Sequence, residues 1–156
     1  MVRARRRTAP GDRGAAALEF ALVLPLLFVI LFGIIEFGYG LFQMQAAQAT
    51  VRQAARAVAL GVDGCDEVGD LLVQAAEDNG FGIDEADLRS GMTLTITSPP
   101  GTAVQPPQPQ RGDNAVLTIS YEPTLDFPFV PFPGTIERQN GVTLEDVGPA
   151  MQRTCS

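Results

Sequence analysis

The side chains able to do chemistry in this chain are carboxylates, arginines and two cysteines. Asp66, Glu67 and Asp70, then Asp84, Glu85 and Asp87, are acidic groups of the kind that bind calcium. Neither group follows the spacing of a calcium loop, in which alternating oxygen ligands lead to a glycine and a distal glutamate. Both read as solvated helix ends. The chain has no histidine, which removes the commonest general base and metal ligand. No cysteine sits in a setting suited to a nucleophile, and no glycine-rich loop is spaced to cradle a phosphate. The expectation is a protein that is not an enzyme, has no metal and needs no cofactor.

Arg111-Gly112-Asp113 spells an integrin-type tripeptide, a triplet that arises by chance on many loops. Cys65 and Cys155 form an even pair, so one disulfide is permitted outside the cytoplasm. Closing so long a loop would restrict the unfolded chain by about 4 to 5 kcal/mol in the entropy model.

These groups sit on a chain of two oppositely charged ends. All eleven basic residues are arginine. Arg3, Arg5, Arg6, Arg7 and Arg13 precede or flank the first apolar residues with only Asp12 against them, whereas the stretch from Phe37 to Ser156 carries six arginines against fifteen acids. Phosphate binding draws its affinity from Lys and Arg, so the acidic part argues against nucleic acid as a partner. The basic leader stands directly before an apolar run, where its use is to orient a membrane segment.

From Phe20 to Phe42 the only charge is Glu36. At 1.5 Å per residue this run makes a helix of about 34 Å, enough to cross a hydrocarbon core of about 30 Å. A core helix of a soluble protein is rarely apolar on every side for so long. The run also exceeds a signal-peptide core, and EFGYGLFQMQAAQ after Ile35 keeps helical character and lacks a small-residue cleavage site. A single-pass protein of the cell membrane is expected, with its N-terminus in the cytoplasm and its acidic part outside. Glu19 and Glu36 stand at the two edges of the run, where a carboxylate costs less than at the midplane; Glu36 reads as an interface marker. Pro25, helped by Gly33, Gly38 and Gly40, predicts a kink or a partial melt of the helix.

Residues 14–20 read GAAALEF, a glycine, four residues, then Glu19 and Phe20. With the basic leader, the proline-containing apolar segment and the Ala-Arg-rich QMQAAQATVRQAARAVALG, this stretch resembles the TadE-like family of Tad/Flp pilus-assembly pseudopilins over roughly residues 10–61. The resemblance implies a prepilin peptidase cut after Gly14, a new N-terminus at Ala15, and a Glu19 that neutralises a neighbouring subunit's N-terminal amine, with Phe20 completing the recognition pattern. An acid at that depth gains most from a nearby cation, and a freed amine supplies one. The implied partners are the membrane, the peptidase, other pilin-like subunits and Tad assembly proteins. The implied role is structural, a minor pilin or pseudopilin of a Tad-type pilus assembly or secretion system. An unprocessed anchor whose outer domain binds a ligand or an envelope component is the other reading.

The elements expected to position these residues are a helix over about 16–60, a second amphipathic helix over 67–79, and two antiparallel strands, Met92–Thr97 and Ala115–Tyr121, read from their period-two alternation. Ala47, Val51, Ala54, Ala55 and Val58 make a small-residue stripe on the first helix, suited either to its own domain or to another subunit. Between the strands, SPPGTAVQPPQPQRGDN predicts a long exposed loop with PPQP as a stiff spacer. After Tyr121, Phe127, Phe129, Val130 and Phe132 alternate with prolines and predict an extended segment pinned over the sheet, or an apolar strip for a partner. The tail should bring Cys155 back towards Cys65. The fold class expected is α+β: a leader over 1–14, a transmembrane and extended helix over 15–61, and an extracytoplasmic domain over 62–156 with a second helix and a small antiparallel sheet.

Overall fold

The structure, a computed structural model, describes residues 12–101, 106–123 and 134–156. Its order is α1 (Asp12–Ala59), α2 (Cys65–Asp78), α3 (Glu85–Ser90), β1 (Met92–Thr97), β2 (Asn114–Tyr121), β3 (Ile136–Thr143) and β4 (Thr154–Cys155). This is the α+β class, with one long apolar helix and a four-stranded antiparallel sheet in the order β3-β2-β1-β4. The chain divides into two compact units, Met1–Tyr39 and Gly40–Ser156.

In the first unit α1 is long and apolar enough to cross a membrane, and none of its most apolar stretch is buried within the protein. It stays helical through Pro25, so the predicted melt does not occur. A proline removes one N–H and its i−4 bond; the flanking Leu and Phe residues, with Phe28 and Phe32 stacked at 5.9 Å, keep the helix on both sides.

In the second unit, α1 and α2 cover one face of the sheet. The stripe Ala47, Val51, Ala54, Ala55 and Val58 is fully buried, and with Val68, Leu72 and Ala75 of α2 it meets Leu94 and Ile96 of β1 and Leu117 and Ile119 of β2 in one core. The face that suited two kinds of partner is therefore used inside the chain. Small side chains suit it because they let the helix axis approach its neighbours closely. Thr50, also buried, places its hydroxyl 2.9 Å from the Ala46 carbonyl and 3.4 Å from that of Ala75, bridging α1 to α2. β1 and β2 alternate buried and less buried residues along their lengths, which leaves Thr93, Thr95 and Thr97 on the uncovered face. Cα partners in the ladder share a face, so Ile136, Arg138, Asn140 and Val142 of β3, opposite Tyr121, Ile119, Leu117 and Ala115, lie on the covered side. They are only half-buried.

The helices end where glycine allows a left-handed turn: Gly61 after α1 (φ 103°) and Gly80 after α2 (φ 66°), conformations that cost a residue with a Cβ. The Ala59 carbonyl accepts from the N–H groups of Glu145 and Asp146 at 2.7 and 3.2 Å, which fixes the end of β3 beside the end of α1. At the other end of β2, the ring of Tyr121 meets Phe81 edge to face at 4.9 Å. Three elements were absent from the sequence reading, α3, β3 and β4. The loop before β2 also departs from the exposed loop expected there, because Pro109 and Asp113 are buried. Phe127, Phe129, Val130 and Phe132 lie outside the described residues.

Candidate processing segment and the sites around it

Gly14, Ala15, Glu19 and Phe20 occupy the first turns of α1, and all are exposed, Phe20 at 65%. A Cβ at Gly14 would meet nothing within 4 Å, so packing does not require glycine there. Its effect is local, since a glycine inside a helix weakens it by roughly 0.5–1 kcal/mol relative to alanine. Glu19 lies on the apolar helix with its side chain exposed.

Glu36 differs from the interface marker it was read as. Its side chain is 3% exposed, and Oε1 has no hydrogen-bond partner among the described residues.

Cys65 and Cys155 are joined in a disulfide with Cα atoms 5.5 Å apart and a sequence separation of 90. Cys65 opens α2, and Cys155 lies in β4 opposite Leu94 of β1. Two residues before it, Arg153 gathers the chain. Its guanidinium donates to the carbonyls of Pro106, Ile96 and Gln108, and Nη2 pairs with Asp113 Oδ2 at 3.0 Å. Asp113 Oδ2 also accepts from the Gln110 N–H at 2.9 Å. The acid of the Arg111-Gly112-Asp113 triplet is thus committed to the interior and is not presented as a ligand. Neither residue carried a sequence signal, since a pair 40 positions apart leaves no periodic trace.

Of the six acids in the two groups, Glu67, Asp70 and Glu85 hold polar partners. Glu67 Oε2 accepts from the Asp63 N–H at 2.6 Å, and Asp84 precedes α3 as its N-cap residue. Arg89 joins Asp70 and Glu85; these hydrogen bonds, Asp70 first, raise the guanidinium pKa further. Among the described residues no group of three or more potential metal ligands is found. Burial pushes the Tyr121 phenol above its usual pKa, a rise only partly opposed by Arg138.

The fold and these sites define a protein with one helix long and apolar enough for a membrane span, leading into a small disulfide-closed α+β domain. Residues 14–56 match the model of the TadE-like protein family, the segment that holds Gly14, Glu19, Phe20 and most of α1. No curated protein and no solved structure matches the chain. The match makes this segment similar to a TadE-like protein and covers only residues 14–56.

Proposed function

We propose that the protein is a minor pilin or pseudopilin of a Tad-type pilus assembly or secretion system, held in the cell membrane by α1. A prepilin peptidase cuts it after Gly14. Residues 1–14 are the cytoplasmic leader, oriented inward by their arginines; 15–61 form the spanning and extended helix; 62–156 lie outside the cytoplasm, where a disulfide persists. Once Ala15 is the N-terminus, Glu19 neutralises the amine of a neighbouring pilin-like subunit, and Phe20 completes the peptidase's recognition pattern.

The observation that carries this reading is the family match over residues 14–56 on a helix whose first turns expose Gly14, Glu19 and Phe20. Expression in membranes with and without a Tad-type prepilin peptidase, followed by intact mass and N-terminal sequencing, tests it. A new terminus at Ala15, lost on Gly14→Leu, is the expected result, and Glu19→Ala should impair assembly with other subunits. An unchanged terminus while a control pilin is cut would overturn the processing and leave an unprocessed anchor with a ligand-binding outer domain.

A further inference from the structure

The second unit presents two helix faces of opposite charge. On α1 between Gly40 and Ala59 the only charges are Arg52 and Arg56, one turn apart, exposed and without an ion-pair partner among the described residues. Leu60, 68% exposed, extends the same side. The outward face of α2 carries Asp66, Glu67, Asp70, Gln74, Glu77 and Asp78, all exposed, and α2 has no basic residue. Asp70 is engaged by Arg89, Glu67 accepts from the Asp63 N–H, and Asp78 accepts from Gln53 at 2.8 Å; among the described residues the side chains of Asp66 and Glu77 have no hydrogen-bond or ion-pair partner. Arg52 makes no ion pair with Glu77 of its own chain; it is Gln53 that binds the end of α2.

The two faces are held at one level. Gln53 exchanges hydrogen bonds with Asp78 and Asn79, and Thr50 reaches the Ala75 carbonyl, so the last turn of α2 stands beside residues 50–53 of α1. α2 thus runs antiparallel to this part of α1, from beyond its end at Ala59 back towards Thr50.

We propose that the Arg52–Arg56 face of one copy docks on the acidic α2 face of a second copy, with Glu77 as the principal acid. This rests on the reading of the chain as a membrane-held subunit that works among others. Each copy offers both faces, so the contact is heterologous and repeats along a row or round a ring rather than closing at two. Opposite charges at such a rim set register and encounter rate, and salt weakens them.

Sedimentation equilibrium of the full chain in detergent micelles tests the proposal. The wild type should associate, less at high salt. Arg52→Glu with Arg56→Glu, and separately Gln74→Arg with Glu77→Arg, should each weaken association about tenfold or more, and mixing the two variants should restore it to within about threefold. The mixing arm guards against a variant that merely misfolds. A monomeric wild type, association unmoved by either pair, or no recovery on mixing would each overturn the proposal. So would wild-type association abolished by added anionic lipid to which the arginine variant is indifferent, since that assigns the arginines to headgroups. Intact mass on the same samples reads the Gly14 cut separately: a cut but monomeric chain sinks the docking alone, and an uncut, associating chain sinks the processing alone.

Discussion

Arg153 Nη2 and Asp113 Oδ2 lie 3.0 Å apart with their side chains 15% and 4% exposed, joining the last strand of the sheet to the entry of β2. The ion pair is shielded on both sides, and the rest of the guanidinium is filled by carbonyls of the β1–β2 connection.

Arg153→Met should therefore destabilise the domain by about 3–5 kcal/mol, because it leaves the Asp113 carboxylate buried and unpaired. Asp113→Leu combined with Arg153→Met should cost less than Arg153→Met alone. Chemical denaturation of the full chain in detergent, followed by tyrosine fluorescence, reads both.

Removal of the disulfide should also cost stability. Cys65→Ser with Cys155→Ser frees a loop with a separation of 90 residues, worth about 4–5 kcal/mol in the entropy model. Melting with and without reductant should show the wild type falling to the level of the double variant, while the double variant ignores reductant.

Gly91 and Gly69 should respond in opposite ways to alanine. A Cβ at Gly91 would collide with the Ser120 backbone carbonyl, next to the bond from the Ser120 N–H to the Gly91 carbonyl, so Gly91→Ala should lower stability by about 2 kcal/mol or more. At Gly69, inside α2, the new methyl would meet the end of the flexible Arg89 side chain. Helix propensity there returns roughly 0.5–1 kcal/mol, and the net change should be small. The contrast between the two unfolding midpoints is the measurement.

Tyr121 sets an alkaline limit. Burial raises its folded pKa above the ordinary 10.0, so above that value the unfolded chain loses the phenolic proton first. Stability from this group is intact below pH 10 and is lost as the pH rises through the folded value. The phenol oxygen is buried without a partner among the described residues. Tyr121→Phe should accordingly be neutral or stabilising by about 1 kcal/mol at pH 7, with a shallower decline of stability above pH 10 than the wild type.

What could be read in the sequence was what repeats over short distances. β1 and β2 alternate because one face is fully buried, and α1 declares itself by an unbroken apolar run and then by alanines at three- and four-residue steps. β3 was hidden because its covered side is only half-buried and includes Arg138 and Asn140, which erases the period-two contrast. β4 is too short for any pattern, and in α3 a lone Leu88 supplies the apolar face. The segment from Gly14 to Phe20 was legible because its spacing is local. Arg153 and Asp113 were not, because burial and long-range folding alone give them their meaning. Glu36 was misjudged for the same reason, since edge and interior positions look alike in a linear string.

The link between Cys65 and Cys155 makes a covalent ring that holds α2, α3 and all four strands and excludes α1. During synthesis that ring has to stay open until Cys155 has emerged, behind every strand it will enclose. Once it has, the ladder of Leu94 with Cys155 and the grip of Arg153 on the β1–β2 connection bring the two sulfurs together. Oxidation thus records a domain that has already folded, and an oxidant arriving early finds a single thiol with nothing in its own chain to join.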